Sequence, residues 1–305
     1  MQKDKMRKNK MDTKITAAAL IIGLLIGLGI GYAIAAQAPA SQGTALSGTI
    51  VVKGSDTLLI VAQRWAEDFL TQNPQVNIQV AGGGSGTGFA ALKDKTTDIA
   101  DASREIKSSE VSDAKANGVN PVEWVVGLDG ISIVVHPNNP ISSLTLSQLE
   151  MIYNGTYTNW NQVGGNDAPI ITYGRQSTSG TYDYFREHIL HNTNFRADNR
   201  ELAGNAEIVQ TVEGDANGVG YVGVAYTKQG VNVKILKIGA TASEVYEPTI
   251  ANIKSTTYPI ARKLYIYTNG NPAGALNAYI SYILGPSGQQ VLEEAGYISV
   301  VKLEK

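Results

Sequence analysis

The chain has 305 residues, no cysteine, three histidines and a formal net charge of −2. Without cysteine there can be no disulfide, cysteine-ligated zinc, iron–sulfur cluster or thiol catalysis. The near-neutral charge argues against a nucleic-acid-binding protein, which needs a basic surface. With 43% hydrophobic and 17% charged residues, the composition is typical of a globular protein with one large or two medium domains.

The N-terminal segment differs from the rest of the chain in charge and hydropathy. Residues 1–14 carry six basic and two acidic side chains, a net charge of +4, whereas the remainder carries 19 basic and 25 acidic, a net charge of −6. Residues 15–36 are 22 uncharged, mostly apolar positions, long enough to cross a bilayer as a helix. We predict a basic cytoplasmic flank at 1–14, a transmembrane anchor or signal at 15–36 and a flexible linker at 37–47. Cleavage near Ala36, where small residues gather, would instead give a secreted protein.

The exported body begins with strand and helix patterns in alternation. Residues 49–53 are rich in β-branched side chains, residues 58–70 have apolar side chains at helical spacing, and residues 76–80 alternate as a strand does. A glycine-rich turn at 81–88 then opens a short helix. The first half continues with predicted strands at 97–101, 122–126 and 131–135 and a polar helix at 108–117.

The second half repeats this alternation. Residues 145–153 form an amphipathic helix with Thr145 as its candidate N-cap, and the glycine-bearing run at 218–226 is typical of a buried strand. Further strands are predicted at 169–173, 231–238 and 264–267, and further helices at 182–190, 205–213, 273–284 and 287–295. Such alternation predicts an α/β fold with largely parallel sheets, whose ligands bind at the turns from strand to helix.

Four of these turns carry serine or threonine, often beside glycine. At least three of them open a helix, whose free N–H groups and partial positive charge favour an anion. Arg104 and Arg175 lie within or just before two of the turns, and arginine binds tetrahedral oxyanions through paired donors. Serine and threonine are also ordinary N-caps, but four turns with two arginines favour one convergent oxyanion site. The turns are residues 54–57, 83–88, 102–104 and 177–181.

Two aspartates lie in turns of this kind, Asp56 in the first and Asp129 in the turn at 127–130. A carboxylate accepts a hydrogen bond from an anion that carries a proton, and it repels a fully ionised anion such as sulfate. Both residues also have a purely structural interpretation. Asp56 could cap the first helix, and Asp129 could be a turn residue or an ion-pair partner of Arg104.

Other functional motifs are absent from the sequence. The glycine-rich turn is followed by Phe89 where a Walker A loop has lysine, and no G-x-S-x-G elbow occurs. His188 and His191 have no third ligand nearby in the sequence. An exported phosphatase or phosphotransferase with Ser85 or Ser179 as nucleophile would need a base or a metal that no pattern supplies. We therefore expect no enzymatic activity, no catalytic residue, no metal, no cofactor and no nucleic-acid partner.

Taken together and in this order, the motifs resemble those of the phosphate-binding subunit of phosphate ABC transporters, a family of extracytoplasmic solute-binding proteins. The resemblance covers residues 49–300. It is carried by KGSDT at 53–57, GGGSGTG at 82–88, DIADASREI at 98–106, LDGI at 128–131, TNWN at 158–161 with VGG at 163–165, Arg175 with SGT at 179–181, and GVGYV at 218–222.

The resemblance implies a two-lobed, periplasmic-binding-protein-like (type II) α/β fold that closes about a hinge over one phosphate. We expect lobe one at 48–130 plus 225–305 and lobe two at 131–224. The resemblance also implies a membrane location and, as partners, the permease and ATPase subunits of an ABC transporter. Sulfate, molybdate or tungstate as the ligand, and a sensory or adhesive role for the same fold, remain alternatives.

By position, the resemblance implies a set of phosphate contacts. These are Ser55, Thr57 and the Leu58 N–H from the first helix, Ser85 from the glycine-rich turn, and Arg175, Ser179, Gly180 and Thr181 from lobe two. Ser103 stands where some members have an aspartate that accepts the phosphate proton, so that role would pass to Asp129 or Asp56. Arg104 is expected either to contact phosphate or to neutralise Asp129.

Overall fold

The computed structural model describes residues 45–228 and 230–301. The predicted cytoplasmic flank, the apolar segment at 15–36 and most of the linker lie outside these residues. Within the described ranges, no helix has both the length and the hydropathy needed to cross a bilayer.

The first half of the described chain alternates strands and helices, as its sequence pattern predicts. Its elements are β1 (Gly48–Gly54), α1 (Leu59–Gln72), β2 (Val76–Ala81), α2 (Ser85–Lys93), β3 (Ile99–Ala102), α3 (Ser108–Ala116) and the long strand β4 (Pro121–Val135). Apolar spacing explains α1, because Val61, Trp65 and Phe69 fall on one face and are buried. Each such burial contributes about 2–3 kcal/mol.

The second half begins with the short strand β5 and ends with two helices. Its elements are β5 (Ser143–Thr145), α4 (Leu146–Tyr153), β6 (Ile171–Arg175), α5 (Gly180–His188), β7 (Arg200–Leu202), α6 (Asn205–Gly214), β8 (Gly218–Gly223), β9 (Lys234–Thr241), β10 (Glu244–Tyr246), α7 (Ile250–Lys254), β11 (Ala261–Asn269), α8 (Gly274–Leu284) and α9 (Pro286–Ala295). Short 3₁₀ turns lie at Trp160–Val163 and Val224–Thr227.

The strands form two sheets that share β4. Its first part pairs with β11 as far as Gly130, in a sheet ordered β2-β1-β3-β11-β4, which we call lobe one. From Ile131 onward it pairs with β8 and β9, in a sheet that continues to β6 and β7, which we call lobe two. The two-lobed α/β fold implied by the resemblance is therefore confirmed, and β4 passes from one sheet to the other at residues 130–131, a crossing that we call the hinge.

The prediction of largely parallel sheets holds only away from the hinge. Strands β1–β3 and β6–β8 contain the parallel pairs β1–β2, β1–β3, β6–β7 and β6–β8. At the hinge, β11 runs antiparallel to β3 and β4, and β4 runs antiparallel to β8 and β9. The reason is that β4 leaves the sheet of lobe one at the end where β11 enters it, so the two strands run in opposite directions.

The structure also places residues 234–260 differently from the sequence assignment, which put residues 225–305 in lobe one. Strand β9 pairs with the lobe-two part of β4. Leu236, Ile253 and Ile260 pack in the same core as Ile133. The chain returns to the sheet of lobe one at Ala261, the first residue of β11.

Candidate anion site

Turns from the two lobes meet at the base of the cleft. Gly86 N–H of lobe one donates to the Thr178 carbonyl of lobe two at 3.0 Å. A Cβ on Gly180 would lie 2.3 Å from Ser85 Oγ and 2.8 Å from Ser103 Oγ, and one on Gly84 would lie 2.4 Å from the Thr178 carbonyl oxygen. Both positions therefore need glycine for the lobes to approach this closely.

All four predicted turns contribute hydroxyl groups to this meeting point. Thr57 Oγ1 of lobe one lies 3.0 Å from Thr181 Oγ1 of lobe two. Ser85 Oγ accepts from Ser103 N–H at 3.0 Å and lies 3.4 Å from the Ser103 hydroxyl. The hydroxyl residues are at most 2% exposed, and they are Ser55, Thr57, Ser85, Ser103, Ser179 and Thr181.

Helix capping explains only one of these turns. Helix α1 has Leu58 as its N-cap residue and α2 has Gly84, and neither helix has a side-chain cap bond. In contrast, Ser179 caps α5 by accepting from Thr181 N–H at 3.1 Å and from Tyr182 N–H at 3.4 Å. The capping interpretation is therefore wrong for the first two turns. The Leu58 N–H, expected to be a ligand donor, donates to the Ser55 carbonyl at 3.1 Å.

Arg175, the last residue of β6, is a buried cation with unused donors. It is 1% exposed, and its Nη2 donates to the Ala203 carbonyl at 3.0 Å and lies 3.5 Å from Asp56 Oδ2. Its Nε and Nη1 have no hydrogen-bond partner in the described part of the chain. Burial lowers the pKa of Arg175, and the charge of Asp56 opposes this only in part. Such an undercompensated guanidinium favours an anion.

Asp56 links the lobes and does not cap α1. Its Oδ2 accepts from the Asn205 N–H at 2.9 Å and from the Asn205 side-chain amide at 3.1 Å. Its carbonyl oxygen accepts from the Tyr226 hydroxyl at 2.5 Å. Because Asn205 is the first residue of α6 in lobe two, these bonds hold the first turn of lobe one against the opposite lobe.

Asp129 has an arginine partner, but that partner is Arg262. The two residues are cross-strand neighbours in β4 and β11. Asp129 Oδ2 accepts from Arg262 Nε at 3.0 Å and from Nη2 at 2.8 Å, while Oδ1 accepts from Val224 N–H at 3.1 Å. Burial raises the pKa of Asp129, and the charge and hydrogen bonds of Arg262 act in the opposite direction. With both oxygens engaged, Asp129 is a poor candidate for accepting a ligand proton.

Arg104 lies in a different ion-pair network. It makes two bonds to the Glu110 carboxylate at 2.7 and 2.8 Å, and its Nε lies 2.7 Å from Asp183 Oδ2 across the cleft. Lys107 Nζ joins Asp183 at 2.9 Å. Burial alone would lower the pKa of Arg104, but Glu110 and Asp183 outweigh it and the pKa is raised. Arg104 therefore connects the lobes and does not neutralise Asp129.

A cavity of about 690 Å³ opens between the lobes beside Arg104 and Arg262, and its lining includes Tyr184 and His188 but none of the six buried hydroxyl residues of the turns. His188 stacks on Tyr184, with ring centroids 3.9 Å apart. Over residues 45–228 and 230–301, no group of three or more His, Asp or Glu side chains could hold a metal ion.

Comparison with known proteins identifies the family. A family model described as a PBP superfamily domain matches residues 39–287. The phosphate-binding protein PstS of Pseudomonas aeruginosa is 35% identical over 311 residues, which cover 94% of this chain and 95% of that protein. The chain belongs to the phosphate-binding proteins of the PBP superfamily.

Solved structures with this fold include other phosphate-binding proteins. A putative phosphate ABC transporter substrate-binding protein with bound phosphate, from Clostridium perfringens, is 29% identical with a TM-score of 0.74, covering 83% of this chain and 100% of that one. An ABC-type phosphate transport receptor from Vibrio cholerae is 28% identical with a TM-score of 0.67, covering 82% and 99%.

Two residues at the centre of this phosphate-binding protein were not predicted from sequence. From the sequence, Asn205 is only the first residue of a predicted helix, and Arg262 precedes the predicted strand at 264–267. One signal for Arg262 was available, because an arginine directly before a run of buried strand residues needs a buried partner. Its partner Asp129 is 133 positions away, so the pairing itself could not be read from the sequence.

Proposed function

We propose that the protein binds inorganic phosphate between its two lobes, outside the cytoplasmic membrane, and delivers it to the permease and ATPase subunits of an ABC transporter. The observation that carries this proposal is Arg175. Its buried guanidinium has two donors without partners in the described residues and only partial compensation from Asp56. A tetrahedral anion would satisfy both the donors and the charge.

The groups around Arg175 add further hydrogen-bond donors to the anion site. Thr57 and Thr181 supply hydroxyls from opposite lobes, and Ser85 supplies one from the N-terminus of α2. Hydroxyls and helix N–H groups stabilise an anion by fixed dipoles without adding net charge. Ser55, Ser103, Ser179 and Gly180 lie in the same turns. Because the groups belong to both lobes, we propose that phosphate enters an open cleft and that closure about the hinge completes the contacts.

We propose Asp56 as the carboxylate that accepts the proton of bound phosphate. Asp129 is fully engaged by Arg262 and Val224, and Ser103 cannot act as an anionic acceptor. Asp56 lies beside Arg175, and the hydrogen bonds of its side chain are made through Oδ2. Its Oδ1 is then the acceptor that favours a protonated anion over sulfate.

The localisation rests on the N-terminal sequence together with the family. We propose that residues 15–36 anchor the protein in the cell membrane, with residues 1–14 on the cytoplasmic side. Mass spectrometry of the protein purified from cell membranes checks this, because an intact N-terminus supports an anchor and a chain that begins after Ala36 supports cleavage. We propose a binding role without catalysis, in keeping with the family.

Titration calorimetry of the full chain, kept in detergent, tests the function. Phosphate, sulfate, molybdate and tungstate are titrated separately at fixed ionic strength between pH 5.5 and 8.5. We expect tight binding of phosphate and much weaker binding of the other anions. Absence of phosphate binding would contradict the proposed function. Sulfate binding as tight as phosphate binding would contradict only the role of Asp56.

A further inference from the structure

Arg262 connects the hydroxyl groups of the two lobes. It is 6% exposed and lies where the chain returns to lobe one at the start of β11. Its Nη2 lies 3.3 Å from Thr57 Oγ1 of lobe one and 3.0 Å from Thr181 Oγ1 of lobe two. One guanidinium nitrogen therefore contacts a hydroxyl from each side of the cleft, and it can do so only when the lobes are closed.

The direction of these hydrogen bonds is fixed by chemistry. A guanidinium has donors and no acceptor, so the threonine oxygens accept from Arg262. Nη2 carries two N–H groups, and one of them donates to Asp129 Oδ2 at 2.8 Å, so the two threonine oxygens share the other. The two oxygens are also 3.0 Å apart, so one hydroxyl donates to the other. The hydroxyl that receives this bond accepts from the other threonine and from Arg262, so both of its lone pairs are occupied and its own proton is free. It can donate to an anion oxygen but cannot accept from a protonated one.

The charge of Arg262 is used differently from that of Arg175. Two bonds from the Arg262 guanidinium go to Asp129, which is fully buried beside it. The pair is close to neutral, so Arg262 contributes oriented donors to the site and little net positive charge. Its position over the Tyr184 ring, 5.6 Å from the ring centre, further fixes the guanidinium plane.

We propose that Arg262 is a positioning residue of the phosphate site, which fixes the Thr57–Thr181 hydroxyl pair so that one of its two protons is directed at the anion, and which couples anion binding to closure of the lobes. This inference rests on the proposed binding of phosphate. The simpler alternative is that Arg262 only neutralises Asp129. The two differ in one respect: a positioning residue acts through the threonine hydroxyls, whereas a neutralising residue acts independently of them.

A double-mutant cycle on phosphate affinity separates these roles. One variant is Asp129→Asn/Arg262→Gln, which removes both charges together and avoids an unpaired buried carboxylate. The other is Thr57→Val/Thr181→Val, which removes both hydroxyls at nearly constant volume. Affinities of the full chain for inorganic phosphate are measured by calorimetry at one salt concentration. Melting temperatures without phosphate show that each variant folds.

We expect each pair of substitutions to weaken phosphate binding roughly 10- to 100-fold, as lost hydrogen bonds to a charged ligand do. If Arg262 acts through the hydroxyls, the combined variant will bind phosphate only slightly less tightly than the weaker-binding of the two double variants. The reason is that the second pair of substitutions removes an interaction already lost. If the fold-losses of phosphate affinity in the two double variants multiply in the combined variant, the inference is overturned.

The matched control is Arg104→Gln/Asp183→Asn, a second ion pair between the lobes that contacts neither threonine. The fold-loss of phosphate affinity in this control should multiply with the fold-loss in Thr57→Val/Thr181→Val.

If Asp129→Asn/Arg262→Gln does not fold, Arg262→Lys replaces it in the same cycle. Lysine keeps the charge beside Asp129 but lacks the planar set of donors. Unaltered phosphate affinity of Arg262→Lys would also overturn the inference. No binding of phosphate by the unaltered chain would instead overturn the proposed function, and this inference with it.

Discussion

Two buried arginines near the cleft differ in how their charges are compensated. Arg104 has Glu110 and Asp183 at bonding distance, and these carboxylates raise its pKa despite burial. Arg175 has one carboxylate at 3.5 Å, two nitrogens without partners in the described residues, and a pKa lowered by burial. Both were candidates for the anion from sequence. Their surroundings indicate that Arg104 holds the lobes together and that Arg175 is available to bind the anion.

The role of a buried cation therefore follows from its partners and not from its motif. A guanidinium whose charge is compensated by two carboxylates, as in Arg104, gains little from an added anion. An underpaired one contributes little to the stability of the protein without ligand, and it stabilises the complex. Substitutions in the cleft distinguish these two cases.

Arg175→Ala should reduce phosphate affinity by about 3–5 kcal/mol, a loss of more than 100-fold, because a charge-assisted contact in a buried site is removed. Calorimetry of the full chain measures this. The same change should leave the ligand-free melting temperature nearly constant. Arg104→Ala is the matched control, and it should do the opposite, lowering the melting temperature strongly and affinity far less. Equal losses of affinity in the two variants would remove the distinction between these arginines.

Gly180→Ala should weaken phosphate binding by about 1–3 kcal/mol, the usual cost of overpacking. The added methyl group would lie 2.3 Å from Ser85 Oγ when the lobes are closed, so the substitution hinders closure of the lobes. Gly214→Ala is the control, because nothing lies within 4 Å of a Cβ there. Normal affinity in Gly180→Ala would show that the two turns do not meet in the complex.

Asp56→Asn should lower the ratio of phosphate to sulfate affinity by about tenfold, because the variant no longer repels a fully ionised anion. Competition calorimetry with both anions gives the ratio. Asp113→Asn, an exposed change on α3, is the control and should leave the ratio as it is. A ratio that stays constant in Asp56→Asn would exclude Asp56 as the proton acceptor.

Asp183→Asn should have the smallest effect, about 0.5–1 kcal/mol in phosphate affinity, because Glu110 still compensates the charge of Arg104 and the Lys107 side chain that pairs with Asp183 is 42% exposed. The loss should shrink as salt is raised, since screening already weakens these pairs in the unaltered chain. Affinity measured at two salt concentrations tests this. Asp198→Asn is the control, because Asp198 pairs with Arg196 inside lobe two and is 71% exposed. A salt-independent loss would mean that Asp183 does not act through charge.

The sequence allowed the turns to be predicted better than their connections. Hydroxyl residues beside glycine at strand ends are a local pattern, so the four turns and Arg175 were found. Asp56 pairs with Asn205 across 149 positions, and Arg262 contacts Thr57 across 205. Such contacts depend on which strands become neighbours, which no local pattern specifies. The same limit applies to β9, whose composition shows a strand but not the sheet that it joins.

The position of β11 has a consequence for the order of folding. Every strand of the lobe-two sheet lies between Ile131 and Tyr246, whereas the sheet of lobe one has β11, which begins at Ala261, inserted between β3 and β4. During synthesis from the N-terminus, the strands of the second lobe are therefore all present while the first lobe still lacks a central one. Lobe one must wait for residues 261–269, and its closing contacts are long-range ones that form slowly. The lobe that comes first in the chain is the last to be finished.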